Sequence, residues 1–297
     1  MQRLPHVLDR ADVFVLSLAA AFLFAAGSVL EHRTAGRVKH EETMKLSLLM
    51  DLVKRPVWVC AITMNLLAFG LQLLALRRGS LLVVQPLLVT GLLFAVPMSA
   101  ALAHARPHVT EWTGALAVVG GLALFLVVGD PDVGRGQASP MGWATIAVVC
   151  GIPAAVLVRA GHCTHGPRRA AYLAAAAGIL YGLTAALTKA SAHLVDGGLT
   201  GVLTSWQPYA LVGLAIVSLV VSQSAFQAGR LGTVLPLLII GEPLVAALIG
   251  VLAFHESLAH TPLAVSAELI GALAMAAGVL LLARSPIVID TIAPAEV

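Results

Sequence analysis

Residues 81–103 read LLVVQPLLVTGLLFAVPMSAALA, a run of 23 residues without a charged side chain. About 20 apolar residues are needed to cross the roughly 30 Å hydrocarbon core of a bilayer as a helix. This stretch therefore predicts a membrane-spanning helix, and the rest of the chain is best compared with it.

Runs of similar length and composition recur on both sides of this stretch, separated mostly by short polar connections. The predicted fold is an all-α integral membrane protein with nine transmembrane helices, or ten if one further segment crosses. The predicted spans are residues 13–30, 57–76, 81–103, 112–129, 141–158, 170–190, 209–228, 234–254 and 262–283.

The overall composition excludes a water-soluble globule. Apolar residues make up 59% of the chain and charged residues only 11%, against about 25% charged in an ordinary soluble domain. The net charge of +3 lies mostly in loops beside apolar runs, so it predicts topology and no nucleic-acid partner. Three cysteines, Cys60, Cys150 and Cys163, are an odd number, and two of them lie in apolar runs, so we expect no disulfide framework.

The connection at 31–56 is unusually long and carries six basic residues. Its weakly apolar part, 44–53, is too short to span and is interrupted by Lys45 and Asp51. This pattern favours an amphipathic helix at the membrane surface, with a tenth crossing as the alternative.

Orientation follows from the Lys and Arg residues in the connections. Alternate sides of the nine-span arrangement receive 12 and 6 of them, and Lys189 is counted on the poorer side. Because cytoplasmic loops are enriched in basic residues, we expect the C-terminus in the cytoplasm and the N-terminus outside. The predicted location is the plasma or inner membrane.

Two pairs of segments repeat within the chain. Residues 75–88 (ALRRGSLLVVQPLL) match residues 225–238 (AFQAGRLGTVLPLL) at seven of fourteen positions, at an offset of 150. Residues 111–124 (EWTGALAVVGGLAL) match residues 268–281 (ELIGALAMAAGVLL), also at seven of fourteen, at an offset of 157. The second, third and fourth spans therefore pair with the seventh, eighth and ninth.

At the offset of 157, residues 19–27 of the first span also face residues 176–184 of the sixth. Paired spans lie five helices apart, and an odd separation reverses direction across the membrane. We therefore expect inverted-topology repeats, an architecture typical of secondary transporters. The predicted organisation is a tail (1–12), a first repeat (13–129), a linker with the fifth span (130–169), a second repeat (170–283) and a tail (284–297).

Three motifs carry a resemblance to a known family. They are A-L-x-x-G-x-L-x-x-V-x-P at 75–86, A-F-Q-A-G-R-L-G-T-V-L-P at 225–236 with a following G-E-P, and G-I-L-Y-G-L-T-A-A-L-T-K-A at 178–190. In them the chain resembles the drug/metabolite transporter superfamily, and within it the bacterial EamA-like and NIPA-type members. Lys189, Pro86 and Pro236 fall where that family's pattern has them.

The resemblance implies a carrier, and the superfamily moves amino acids, nucleotide sugars, drugs and other metabolites. Its NIPA-type branch is regarded as transporting magnesium. The chain departs from the common ten-helix pattern, because the basic stretch replaces the span expected between the first and second helices.

Glu242 is the most informative polar residue within the predicted spans. It stands in the first half of the eighth span, between Gly241 and Pro243. An ionised side chain at membrane depth costs about 2.5–3.5 kcal/mol on insertion scales, so its presence suggests a bound cation or proton. The alternatives are a position near the interface or an internal hydrogen bond.

Lys189 ends the sixth span, seven residues after Gly182 of a Gly178-x-x-x-Gly182 pattern that should let this helix approach a neighbour closely. It can hold an anionic substrate group or pair with Glu242, but snorkelling to the interface is the favoured prediction. His255 and Glu256, at the end of the eighth span, are predicted as interfacial caps.

Amide side chains form a second group of candidates for a substrate site. Amides in apolar surroundings turn toward protein or a cavity, with interhelical hydrogen bonding as the equal alternative. The candidates are Gln72, Gln223, Gln85 and Asn65, and the helix-breaking prolines Pro86, Pro236 and Pro243 accompany them.

These features predict a secondary transporter of a small metabolite or drug-like solute, working by alternating access between two repeats. The first, third, sixth and eighth spans are expected to line the site. One alternative is a magnesium transporter, although one intramembrane acid is sparse for Mg²⁺. A non-transporting membrane enzyme or structural subunit is the alternative of another class.

The sequence lacks the GxSxG, HExxH and GxxxxGK[ST] patterns, so no enzyme activity is predicted. No cofactor is predicted, and the metal, if any, is left open. The expected partners are the lipid bilayer, a small-molecule or ion substrate, and, as an open alternative, a second copy of the chain.

Overall fold

The structure is a computed structural model that describes residues 11–35, 56–103, 109–129, 132–228, 231–257 and 262–283. Within these ranges the chain contains no β-strand, and nine helices are long and apolar enough to cross a membrane. The prediction of an all-α protein with nine membrane-length helices is therefore confirmed for the described residues. The 44–53 segment lies outside them, so a tenth crossing stays a prediction.

We number the membrane-length helices α1 to α9 in chain order. The third has two parts, α3a and α3b, and the fifth contains a π-helical turn at Ala147–Gly151 between its two α-helical parts. The bounds are Ala11–Ala35 (α1), Pro56–Arg78 (α2), Leu81–Val89 (α3a), Gly91–Ala103 (α3b), Val109–Gly129 (α4), Pro140–Ile146 with Ile152–His162 (α5), Gly166–Leu194 (α6), Gln207–Ala228 (α7), Leu231–Phe254 (α8) and Pro262–Ala283 (α9).

Local signals explain the starts of two helices. Ser80 caps α3a by accepting a hydrogen bond from the Val83 amide, and Ser139 caps α5 in the same way through the Gly142 amide, with Pro140 in the first turn. These ends lie within a few residues of the predicted ones because an apolar run and its polar flanks are both local features.

The structure departs from the predicted spans in three places. The third span is interrupted at Thr90, whose amide and hydroxyl both donate to the Leu87 carbonyl and tighten the helix there. The π-helical turn in α5 precedes Pro153, which has no amide hydrogen to continue the regular ladder. A short helix, Gly198–Thr204, lies between the sixth and seventh predicted spans, where no helix was predicted.

Helices of the two predicted halves have corresponding neighbours. α1 packs against α2 and α3, and α6 packs against α7 and α8. α4 pairs with α9, and α3a packs against α8. The largest apolar core lies where α3a, α6 and α8 meet, with Leu81, Val84, Ala186, Ile249 and Phe254 among its fully buried members.

Several helix ends are joined at one end of the bundle. Arg78, at the end of α2, forms an ion pair of 2.8 Å with Asp12 at the start of α1. Arg77 forms an ion pair with Asp196, just after α6. Glu256, which follows α8, reaches the start of α3a. We call this the Glu256 end.

Candidate functional site

A buried ion pair lies at the Glu256 end. Lys189 of α6 has no exposed surface, and Glu256 is 2% exposed. The Lys189 Nζ donates to Glu256 Oε1 over 2.5 Å and to the carbonyl oxygen of Val133 over 2.9 Å. The same ammonium lies 5.0 Å from the centre of the Phe254 ring. Such a cation is stabilised by charge, hydrogen bonding and the aromatic face together.

The Glu256 carboxylate also caps a helix in the other predicted half. Its Oε1 accepts a hydrogen bond from the Leu81 amide over 2.8 Å, and its Oε2 accepts one from the Leu82 amide over 3.0 Å. These amides begin α3a, where helical N–H groups have no partner within the helix and the helix dipole favours an anion. Both carboxylate oxygens are thus bound.

The backbone after α8 is shaped to place this carboxylate. His255 has a left-handed conformation, with φ at 53°, and the Glu256 amide donates to the Gly250 carbonyl over 2.9 Å. The left-handed residue ends α8 and reverses the direction of the chain. A Cβ at Gly250 would lie 2.5 Å from Glu256 Oε2, so only glycine leaves room for the carboxylate here.

Aromatic side chains extend this cluster. The Phe254 ring meets Trp143 of α5 edge to face at 6.2 Å, and Trp143 meets Trp206 at 5.0 Å in the same manner. Edge-to-face contacts of this kind add to the apolar packing. A chain of aromatic rings therefore runs from Phe254, beside the ion pair, through Trp143 of α5 to Trp206, which directly precedes α7.

The burial and the partner of Lys189 differ from two interpretations made from the sequence. Snorkelling to the interface is wrong, because the side chain is fully buried. Pairing with Glu242 is also wrong, because its partner is Glu256. Glu242 lies 12 residues before Phe254, which corresponds to about 18 Å along α8.

Glu256 was not among the predicted site residues. It was predicted as an interfacial cap at the end of the eighth span. It does cap a helix, but that helix is α3a, which is distant in the sequence. One local signal was available: an acid directly after a helix C-terminus is unfavourable with respect to the helix dipole. Such an acid indicates a partner elsewhere in the fold.

Glu242 occupies the middle of α8 and is partly buried. No hydrogen bond or ion pair joins its carboxylate to any residue that the structure describes. Pro243 follows it and has no amide hydrogen, so the Ile239 carbonyl lacks its usual helical donor. The middle of α8 therefore combines a carboxylate with a locally weakened backbone ladder.

Hydroxyl groups on two neighbouring helices accompany Glu242. Tyr181 of α6 lies within electrostatic range of Glu242 and shares a hydrogen bond of 3.0 Å with Ser222 of α7. One turn along, Thr184 and Ser218 approach to 3.4 Å. We call these five residues the Glu242 seam. Tyr181, Ser222, Thr184 and Ser218 were not predicted, because hydroxyls are common in membrane helices and give no signal on their own.

Close helix approach beside the seam confirms the prediction made from Gly178 and Gly182. A Cβ at Gly178 would lie 3.2 Å from the Cα of Gly241, and one at Gly182 would lie 2.6 Å from the Cβ of Val245. α6 and α8 are thus in backbone contact next to Glu242, as small residues permit.

The structure does not gather the predicted amides in one place. Gln72 is 8% exposed and Gln85 2% exposed, both within two turns of the Glu256 end. Asn65 of α2 lies against Gly27 of α1, since a Cβ on that glycine would fall 2.4 Å from the amide oxygen. Gln223 is exposed on α7.

The helix-breaking prolines lie inside their helices as predicted. Pro86 is buried in α3a, Pro236 is buried in α8, and Pro243 is partly buried. Pro86 and Pro236 occur near opposite ends of the bundle, because the start of α3a lies beside the end of α8.

A small cavity lies away from the seam, at the opposite end of the bundle from Glu256. It has a volume of about 50 Å³ and is lined by α3b, α4 and α9, with Pro97, Glu111, Trp112 and Leu282 among its walls. Ligand pockets usually measure about 300–1,000 Å³, so this cavity is too small for a metabolite.

The fold and its apolar helices define a multi-pass membrane protein with charged groups buried in its interior. The chain is 32% identical, over 243 residues, to an uncharacterized protein of Corynebacterium glutamicum, Cgl0250/cg0304; the match covers 82% of this chain and 84% of that one. The chain belongs to the family of this protein. No family model and no solved structure matches it.

Proposed function

We propose that this protein is a secondary transporter that moves a small solute by alternating access between two inverted halves. The observation that carries the proposal is the packing of α4 against α9. Gly114 approaches Gly278, and Gly121 approaches Gly271, so the two helices are antiparallel. At the repeat offset of 157, Gly114 corresponds to Gly271 and Gly121 corresponds to Gly278. The contact between Gly114 and Gly278 is therefore the repeat equivalent of the contact between Gly271 and Gly121. Reciprocal contacts of this kind are expected about a two-fold axis.

A second contact between helices supports the same symmetry. A Cβ at Gly91 would lie 3.1 Å from the carbonyl oxygen of Ala21, which joins α3b to α1. In the other half, Gly91 corresponds to Gly241 at the offset of 150, and Ala21 corresponds to Gly178 at the offset of 157. Gly241 and Gly178 are also in contact. Two inverted halves that pack alike can exchange conformations, which is the mechanical basis of alternating access.

The proposed substrate or coupling-ion site is the Glu242 seam. A carboxylate without a described partner at mid-depth is costly unless a cation or proton compensates it. The hydroxyl group of Tyr181, within electrostatic range of Glu242, and that of its partner Ser222 add oxygen atoms to the proposed site. The residue corresponding to Glu242 in the first half is Leu92, so the charge belongs to one half only.

The resemblance to the drug/metabolite transporter superfamily supports a metabolite or a drug-like solute as cargo. Within the described residues there is no cluster of three or more His, Cys, Asp and Glu side chains. Mg²⁺ would therefore find one acidic ligand in the seam, whereas a proton or an organic cation needs only one. A proton-coupled or cationic solute is the better match.

We place the protein in the plasma or inner membrane with the Glu256 end outside. Lys189 was counted among the basic residues on this side, but it is buried in an ion pair. Without it, the remaining Lys and Arg residues divide 12 to 5, which strengthens the predicted bias.

Uptake into proteoliposomes tests the proposal. Mg²⁺, amino acids and cationic drugs are offered in turn, with an imposed proton gradient. We expect flux of at least one of them, and Glu242→Gln should reduce it at least about tenfold, because each tenfold corresponds to 1.4 kcal/mol of lost binding. Asp12→Asn, which removes a carboxylate at the surface, should leave flux unchanged. Equal flux in the wild type and Glu242→Gln would contradict the proposed site.

A further inference from the structure

The Glu256 end is joined by contacts that cross between the two halves. Glu256 follows α8 and Lys189 lies in α6, both in the second half, whereas the amides of Leu81 and Leu82 begin α3a in the first. The carboxylate therefore caps a helix that belongs to the opposite half. This cap exists only while the halves are in contact at this end.

The connection is strong for its size. A carboxylate at a helix start is favoured by the unpaired N–H groups and by the helix dipole. Lys189 adds a charge-assisted bond of 2.5 Å and also binds Val133, in the segment between α4 and α5. Four parts of the chain thus meet at one buried group.

We propose that Glu256 is a latch: its carboxylate, bound to the start of α3a and to Lys189, keeps the Glu256 end closed, and its release separates the halves there. This inference rests on the proposed alternating-access function. Release leaves Lys189 buried without a counter-charge, so the open state must hydrate this ammonium or bind it to an anionic group.

Two exposed ion pairs lie at the same end of the bundle, and one of them provides a control for the role of Glu256. Arg77 and Asp196 join α2 to the end of α6 and so cross between the halves at the surface. Arg78 and Asp12 join α2 to α1 within the first half. Loss of the second pair should not affect closure, although it lies equally near the end of the bundle.

Thiol accessibility measures closure without knowledge of the substrate. Cys60, Cys150 and Cys163 are replaced in the full chain, and Gln85→Cys is introduced as the reporter. Gln85 is 2% exposed and lies one turn inside the capped residues of α3a. A membrane-impermeant methanethiosulfonate is applied to cells and to inverted vesicles, so that each membrane face is tested.

In the parent protein we expect the reporter to be protected from the face that carries the Glu256 end. Glu256→Gln should raise the labelling rate at least about tenfold, because hydrogen bonds to charged groups shift equilibria by that order. Arg78→Gln should change it by less than about twofold. Equal rates in Glu256→Gln and Arg78→Gln would overturn the latch. If Gln85→Cys does not reach the membrane, Ser17→Cys in α1, also fully buried, replaces it.

A charge swap separates a latch on α3a from a simple ion pair. Lys189→Glu combined with Glu256→Lys restores opposite charges but places an ammonium against the Leu81 and Leu82 amides. We expect labelling of the double variant to stay as fast as in Glu256→Gln. Recovery of protection would show that the ion pair alone closes this end, and the latch as proposed would be wrong.

The outcome for the latch is distinct from that for transport. Slow labelling in Glu256→Gln, together with flux that depends on Glu242, would overturn the latch and leave the proposed function intact. Fast labelling without flux of any tested solute would support the latch as a closing contact and count against the proposed cargo.

Discussion

Two carboxylates associated with α8 differ in how they are bound. Glu256, just after the helix, is 2% exposed and receives hydrogen bonds from two amides and one ammonium. Glu242, at the middle of the helix, is partly buried, and no described residue forms a hydrogen bond or ion pair with it. The first is part of what holds the bundle together, whereas the second has no bonded partner among the described residues, as the proposed ligand site requires.

The difference has an energetic meaning. Removing a buried charge that has all its partners leaves those partners uncompensated, which is strongly destabilising. Removing a buried charge without partners takes away a desolvation cost and loses little. Stability and transport should therefore respond in opposite ways to mutation of these two acids.

The largest effect on stability is expected for Glu256→Ala. The variant leaves the Lys189 ammonium and the Leu81 and Leu82 amides without an acceptor. We expect a loss of about 3–5 kcal/mol in the free energy of unfolding, measured by SDS titration of the detergent-solubilised protein with circular dichroism. Adding Lys189→Met should recover part of this loss, because the uncompensated charge is gone. A loss below about 1 kcal/mol would contradict the burial of this pair.

Gly182→Ala tests the packing beside the Glu242 seam. The added methyl group would lie 2.6 Å from the Cβ of Val245, so α6 and α8 must separate. Overpacking of this kind costs about 1–3 kcal/mol in the same unfolding measurement. Gly213→Ala in α7 is the matched control, because no atom lies within 4 Å of its added Cβ. It should be neutral or stabilising, since alanine is the better helix former. Equal effects of the two variants would contradict the close approach.

A smaller effect is expected for Arg78→Gln, which removes an ion pair at the Glu256 end. The side chains of Arg78 and Asp12 are 60% and 41% exposed, so water competes for both charges. We expect the free energy of unfolding, measured in the same SDS titration, to fall by about 0–1 kcal/mol. Added salt should make this loss smaller still. A loss as large as that of Glu256→Ala would show that exposure does not distinguish the two pairs.

The smallest effect on stability is expected for Glu242→Gln. The amide keeps the shape of the side chain and removes a charge that no described residue balances. The free energy of unfolding in the SDS titration should therefore change by no more than about 0.5 kcal/mol. Transport in the proteoliposome assay should be lost. Destabilisation comparable to that of Glu256→Ala would show that Glu242 has a structural partner, and the contrast between the two acids would fail.

The helices could be predicted well from the sequence, whereas the site could be predicted only in part. Each span is a local property, because an apolar run of sufficient length satisfies its own backbone hydrogen bonds in a membrane. The approach of α6 to α8 was also predictable, since the glycine spacing places small residues on one face. The interruption at Thr90 was not, because a threonine hydroxyl can bond to its own helix or to a neighbour.

Lys189 shows why the remainder required the fold. Its sequence position near the end of an apolar run is equally compatible with snorkelling, with a substrate contact and with an ion pair. The choice depends on Glu256, which lies 67 residues further on, and on α3a, which lies more than a hundred residues earlier. No local pattern encodes that meeting.

The sequence by itself indicated a membrane protein, and it gave the nine apolar spans that lie in the described part of the chain, because hydrophobic length is a property of consecutive residues and needs no knowledge of neighbours. It also identified Glu242 as an acidic residue within the eighth apolar run. Only the tertiary structure decided which buried charges are balanced. Electrostatic and hydrogen-bonding partners act through space over a few ångströms, so whether an acid becomes a structural cap or remains open to a ligand depends on which helices pack around it.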